Sequence, residues 1–239
     1  MDDRAAMRLL VIASDRREFA GILAHAGGSQ PEPAIRGVDF ARTAGLGGHE
    51  LLLVANGVGI KRAAAAVEAA LPVFRPDALA SIGFCGALDP SLQVADIVVA
   101  SEVMGGEKRY AAARVRSSRR HHWGVVRTGV RVAQSAGERR SLRASGAIAV
   151  DMEASGVAEC ASTRGLPFCC VKAVTDLAGE TMANDFNRAL RTDGHFDTIV
   201  LLQGTLRHPF ARITELLRLR RRCIQAARAM GDFFADCRF

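Results

Sequence analysis

Aromatic residues and lysine are scarce in this chain of 239 residues. Phe, Tyr and Trp together make 5% of it, and lysine supplies only Lys61, Lys108 and Lys172 of the 32 basic side chains. So few aromatics leave little on which unpaired bases could stack, and no nucleic-acid motif is present, which argues against a nucleic-acid partner. The six cysteines (Cys85, Cys160, Cys169, Cys170, Cys223, Cys237) include no CxxC pair. That excludes a zinc-site pattern and a secreted disulfide framework, and reads as reduced, small core residues. His121-His122 has no third ligand placed near it, so no metal is predicted. No window reaches 18 uncharged apolar residues, which excludes a spanning helix. The first apolar run, Leu9 to Ala13, is too short and too closely flanked by charge for a signal peptide, so the default expectation is a cytoplasmic protein. There is no internal repeat and no linker rich in Gly, Ser or Pro.

What is present is enough apolar material to fold: 49% hydrophobic against 24% charged residues. The net charge of +7 is unevenly placed. Residues 109–143 hold ten Arg and one acid (Glu138), and residues 207–239 hold eight Arg and three acids (Glu215, Asp232, Asp236), which leaves the rest of the chain at −7. Two arginine-rich segments on an acidic body either form solvated faces or meet phosphates or an anionic membrane surface.

Short apolar runs alternate with alanine-rich helical stretches. Strands are predicted at Leu9–Ala13, Leu51–Ala55, Ala78–Gly83, Ile97–Ala100, Ile148–Val150 and Phe168–Val174. Helices are predicted at Asp15–Ala26, Ile60–Phe74 and Glu153–Arg164, the last stopped by Gly165. Runs this apolar suit strands buried on both faces, so the expected fold is α/β: one domain over residues 1–206, with a central mixed, mostly parallel twisted sheet flanked by helices. Residues 105–123 read as a loop or exposed helix, and residues 207–239 as an arginine-rich helical extension. Ligands in open α/β sheets sit at carboxyl ends of strands. The candidates there are Glu18, Asn56–Gly59, Gly83–Ala87, Asp151, Glu153 and Thr175-Asp176.

Each motif has an ordinary structural explanation. Asn56-Gly57-Val58-Gly59 joins a strand to a helix, where backbone N–H groups meet an anion or merely close a turn, and it lacks the Walker Lys-Ser/Thr and a third dinucleotide glycine. Ser81 to Leu88 is a second glycine-bearing strand end. Asp151 and Glu153 flank Met152 after a strand, where one carboxylate caps a helix and the other meets its dipole. Asp176 ends a buried strand, where desolvation raises a carboxyl pKa and suits it to acid work, or where Asp simply starts a turn.

Their order and spacing together resemble the nucleoside phosphorylase and nucleosidase superfamily, in particular the methylthioadenosine/adenosylhomocysteine nucleosidases, from about Met7 to Asn187. The run from Ile148 to Asp176 is the most specific. The resemblance implies cleavage of the bond between purine N9 and ribose C1′ through an oxocarbenium-like state, in a homodimer that needs no cofactor. It implies that Asp176 protonates or hydrogen-bonds purine N7, with Thr175 beside it where Ser is usual. Glu153 would grip the ribose 2′- and 3′-hydroxyls, Met152 would lie under the sugar, and Glu18 would activate water. Val132 and Ala133 fall on the strand that lines the base, without the usual Phe, so either base stacking is weaker or another aromatic such as Phe168 helps. Phe84, Cys85 and Gly86 form the glycine-bearing strand end.

Phosphorylases place Ser or Thr at that strand end to bind phosphate. Phe84 cannot donate a side-chain hydrogen bond and Glu18 would repel an anion, so hydrolysis is favoured, with phosphorolysis, using phosphate as co-substrate and Arg16 and Arg17 near the first loop, as the alternative. Met104 to Tyr110 replaces the family's aromatic stretch, which points away from a small alkylthio pocket. On a helical wheel Ile213, Leu216, Leu217, Ile224, Ala227 and Phe234 share a face, the pattern of an interfacial helix or of one docked on the body. The arginine-rich tail around Leu206 to Pro209 and Leu216 to Arg222 resembles the hopanoid-associated branch, which implies adenosylhopane as substrate and peripheral contact with the inner membrane face. A non-catalytic purine or lipid binder is the alternative of a different class, although binding alone would not require Glu18, Glu153 and Asp176 together.

Overall fold

The computed structural model describes residues 6–32, 35–207 and 209–238. Among the described residues there are ten strands: β1 (Arg8–Ala13), β2 (Gly27–Pro31), β3 (Phe40–Leu46), β4 (His49–Ala55), β5 (Ala78–Ala87), β6 (Ile97–Gly105), β7 (Lys108–Ala111), β8 (His122–Thr128), β9 (Ala147–Asp151) and β10 (Phe168–Asp176). The helices are α1 (Ala20–His25), α2 (Ile60–Ala70), α3 (Ala136–Arg143), α4 (Ala154–Thr163), α5 (Phe186–Ala189), α6 (Thr198–Arg207) and α7 (Pro209–Asp236).

All strands join one sheet. Because β5 pairs with β1, β9 and β10, the ring β5–β10–β6–β8–β9 closes on itself, and β1, β4, β3 and β2 extend it. The α/β class is as expected. The mostly parallel sheet is not: β1–β4, β1–β5, β5–β10, β6–β8 and β8–β9 are parallel, and the other five pairings are antiparallel. Three of the antiparallel pairings, β2–β3, β3–β4 and β6–β7, join strands consecutive in the chain, and two, β5–β9 and β6–β10, join strands far apart in it. β2 is glycine-rich and largely exposed, and residues 105–123, expected as loop or helix, contain the β6–β7 hairpin and the start of β8.

The unbroken apolar runs behave as their composition dictates. Successive side chains of a strand point to opposite faces. Leu10 and Ile12 enter one core with Ala63, Val67, Val157 and Ala161 of α2 and α4, while Leu9 and Val11 enter a second with Phe19, Ile22, Ala226, Met230 and Phe233.

The predicted helix Asp15–Ala26 is a 3₁₀ turn (Arg16–Phe19) followed by α1. The C-terminal half of α7 is part of the second core. It crosses α1 at Gly21 and Gly231, where a Cβ on Gly21 would lie 1.9 Å from the Ala227 carbonyl oxygen. Of the predicted apolar face, Ala227 and Phe234 are buried, whereas Ile213, Leu217 and Ile224 stay exposed together with Phe210. His208, in the tail motif, lies outside the described residues.

Candidate active site

Glu18 is the third residue of a capping box closed by Asp15, and that local device delivers its carboxylate to the end of β5. Ser14 N–H, Ser14 Oγ–H and Asp15 N–H donate to Glu18 Oε2 at 2.7, 3.0 and 3.1 Å, and Phe84 N–H donates to Oε1 at 2.9 Å. Gly83 makes room for it. Its φ is +128°, and a Cβ there would lie 2.6 Å from Glu18 Oε1. Burial raises the Glu18 pKa above the ordinary carboxylate value, against these hydrogen bonds and the charge of Lys172.

Glu153 stands at the N-cap position of α4 without capping it. Gly59 N–H donates to its Oε1 at 3.1 Å and Met152 N–H to its Oε2 at 3.3 Å. Burial, then the Asp151 carboxylate beside it, push the Glu153 pKa to about 8. Asp151 takes over the cap, accepting from Ala154 N–H at 2.8 Å, while Thr128 Oγ–H donates to its other oxygen at 2.8 Å. Lys172 Nζ, fully buried on β10, lies 2.8 Å from Asp151 Oδ2 and donates to Ser81 Oγ and to the Ile82 carbonyl. Burial opposes that charge, yet the Asp151 carboxylate holds Lys172 above its ordinary value. One buried cation thus serves Asp151, Glu153 and Glu18 from below.

Asp176, at the carboxyl end of β10, is raised by burial and lowered by Arg139, whose Nη2 lies 3.6 Å from Oδ2. Gly86 is the notch between them: a Cβ there would be 2.9 Å from Arg139 Nη1 and 3.3 Å from Asp176 Oδ2. Thr175 Oγ–H donates to the Cys85 carbonyl at 3.4 Å, tying the two strand ends. Burial pushes the Cys85 thiol up, so this side chain is a core contact and not a nucleophile.

Glu18, Glu153, Met152, Thr175, Asp176, Phe84, Cys85 and Gly86 therefore meet around the ends of β5, β9 and β10. Two expectations need correction. Phe168 opens β10, pairs with Leu79 near the start of β5 and is buried in the core, a whole nine-residue strand from Asp176, so it cannot stack on a base there. Val132 and Ala133 lie beyond the end of β8, in the turn before α3. Asn187 holds the Val132 main chain at 2.8 and 3.0 Å, and Ala133 packs with Leu88, Ala147 and Val150. His121 and His122 bond the Arg119 carbonyl and Asp96.

The sequence reading missed four supports. Lys172 was visible as the one charge in an apolar strand. Arg139 was hidden in a basic run expected to be solvated, yet it is 1% exposed. Glu215 and Arg222 of α7 hold the chain that follows Asp176: Glu215 accepts from Ala183 and Asn184 N–H at 2.8 Å, and Arg222 grips both oxygens of Glu180 at 2.7 and 2.8 Å and the Thr175 carbonyl at 3.2 Å.

The partly closed mixed sheet thus gathers the buried carboxyls of Glu18, Asp151 and Glu153 and the partly buried Asp176 at its strand ends. The profile of the phosphorylase superfamily matches residues 8–117 and 109–196, and the chain belongs to that superfamily, whose nucleoside members cleave N-ribosyl bonds. It is 28% identical over 222 residues to a 5′-methylthioadenosine/S-adenosylhomocysteine nucleosidase of Geobacillus kaustophilus, covering 78% of this chain and 91% of that one. A nucleosidase of the same description from Marinomonas sp. is 25% identical over 203 residues, covering 72% and 87%. The fold is that of S-adenosylhomocysteine nucleosidase from Streptococcus pyogenes, solved with 5-methylthiotubericidin (TM-score 0.71, 20% identity, 98% of each chain). A futalosine hydrolase mutant of Helicobacter pylori has it too (TM-score 0.70, 14% identity, 95% and 96%).

Proposed function

We propose that the chain hydrolyses the N9–C1′ bond of an adenine nucleoside with a modified 5′ carbon. A water beside Glu18 gives its proton to that carboxylate and its oxygen to C1′. The C1′–N9 pair of electrons leaves on the purine, which takes the Asp176 proton at N7, and free adenine and the free sugar result. Glu153 holds the 2′- and 3′-hydroxyls, and the carboxylates face the cationic sugar that develops.

The observation that carries hydrolysis over phosphorolysis is where the amide donors point. A phosphate site on this fold needs unpaired N–H groups at the glycine-bearing turns. Gly57 N–H donates to the Ser14 carbonyl, Val58 N–H to the Gly194 carbonyl, Gly59 N–H to Glu153 and Phe84 N–H to Glu18. All four are committed, one of them to Glu18, whose ionised carboxylate would repel an anion. Adenine release from a nucleoside panel in phosphate-free buffer tests this. Full activity is expected without phosphate and a loss of at least about 100-fold in E18Q; strict dependence on phosphate would overturn it.

A bulky apolar 5′ group, as in adenosylhopane, suits the same site. The β6–β7 hairpin carries polar pairs, Arg109 with Glu102 across it and Lys108 with Glu159 of α4, and Tyr110 is its aromatic residue. Beside the Asp176 end of the molecule α7 exposes Phe210, Ile213 and Leu217 next to Arg218, Arg220 and Arg221, a face suited to an anionic lipid surface. Sedimentation with anionic vesicles would show binding that F210S weakens; no binding, together with efficient cleavage of methylthioadenosine, would count against this substrate.

A further inference from the structure

Helix α3 is polar, and the side chain it buries is Arg139. Ser135 and Glu138 close a capping box at its start, so the helix is fixed locally and Arg139 is delivered to the interior by its position on the inner face. The guanidinium is 1% exposed. Among the described residues its Nε and Nη1 have no hydrogen-bond partner, and its Nη2 faces Asp176 Oδ2 at 3.6 Å, too long for a strong hydrogen bond. A buried charge with two orphaned donors does not help the fold, since an apolar side chain of similar volume would fill the place at no solvation cost. Its charge must be needed for something else.

The groups facing Asp176 show what. On its own strand Thr175 stands beside it with its hydroxyl turned to the Cys85 carbonyl; from the following turn comes Glu180, from α7 come Arg222 and Cys223, from β5 Cys85, and from α3 Arg139. Glu180 and Arg222 neutralise each other in a two-pronged pair at 2.7 and 2.8 Å. Cys85 and Cys223 are both pushed up by burial and carry no charge at neutral pH. Arg139 is the charge left unbalanced, and Gly86 is the gap through which it acts.

We propose that Arg139 is a positioning residue that sets the acidity of Asp176, holding the carboxyl in place over the Gly86 notch and keeping it acidic enough to give up its proton as the glycosidic bond breaks. This rests on the reading of Asp176 as the acid for the leaving purine. The sign follows directly. Asp176 works protonated, so activity falls as pH rises through its pKa. Removing the neighbouring positive charge raises that pKa and moves the alkaline limb of kcat/KM to higher pH, while a weaker acid transfers its proton less readily.

The test is R139M, with R139Q as the neutral variant should R139M not fold, measured beside R139K, D176N and the double variant R139M/D176N. The alkaline limb of R139M should move up by about one pH unit, with kcat lower by about tenfold. R139K should keep the limb near its original place, and the thermal midpoint of R139M should be unchanged or higher. In the D176N background the same Arg139 substitution should shift nothing further. A limb that stays put in R139M, or a shift that persists at full size in D176N, would overturn the role of Arg139 while leaving Asp176 as the acid. A fully active D176N would instead overturn the assignment of Asp176.

Discussion

Lys172 is where single-residue physics is most exposed. It and Asp151 are both completely buried, 2.8 Å apart, and each is the other's charge partner. Removing one member of such a pair leaves an uncompensated ion in the interior. K172M should therefore cost roughly 3–5 kcal/mol in urea unfolding, and exchanging Asp151 for Asn as well should restore part of that loss. A K172M protein as stable as the parent would contradict this charge pairing. The buried acids set the pH dependence. Glu18, Glu153 and Asp176 all have raised pKa values, so the folded chain keeps protons that the unfolded chain has released. Their contribution to stability is complete below the ordinary carboxylate range and is lost as pH rises, for Glu153 through about 8. The carboxylates held low, such as Asp89 and Glu180 at about 2, lose their contribution only as pH falls far below that window. The thermal midpoint should fall from about pH 5 to about pH 8, and E153Q should flatten the slope. A midpoint that rises across that range would contradict the assignment.

At the scale of elements, the strands were legible because burial on two faces demands continuous apolar runs, and β1, β4, β5 and β10 carry them. The exposed hairpin strands were not legible, since their pairing is fixed by partners far away in sequence. The same contrast divides the site. Glu18, Glu153 and Asp176 could be placed because each follows a readable strand. Phe168 opens the predicted strand Phe168–Val174, so the strand's direction already put it at the end opposite Asp176. Arg139 was lost among surface arginines because only packing tells an inward position on a polar helix from an outward one. Helix α7 is an element whose role sequence understates. It carries Glu215 and Arg222 to the chain after Asp176 and packs on α1 through a glycine contact too close for any side chain. G231A should cost about 1–3 kcal/mol by overpacking, lowering the thermal midpoint and loosening the loop that α7 holds. An unchanged midpoint would mean that α1 and α7 separate freely.

Across the whole molecule the two arginine-rich segments, far apart in sequence, meet. The Arg116 and Arg238 main chains pair, Ser117 and Ser118 bond Asp236, and His121 packs edge-on against Phe233. Most arginines of the two segments are exposed, whereas Lys172 and Arg139 are buried beside the carboxyls at the strand ends. Among the described residues no helix is long and apolar enough to cross a membrane. The proposed hydrolysis makes the attacking nucleophile the central question. Carrying out the reaction in heavy-oxygen water with saturating phosphate and analysing the sugar product answers it. Free sugar with the heavy isotope at C1′, formed at the same rate as without phosphate, is the predicted result; sugar 1-phosphate would contradict the account.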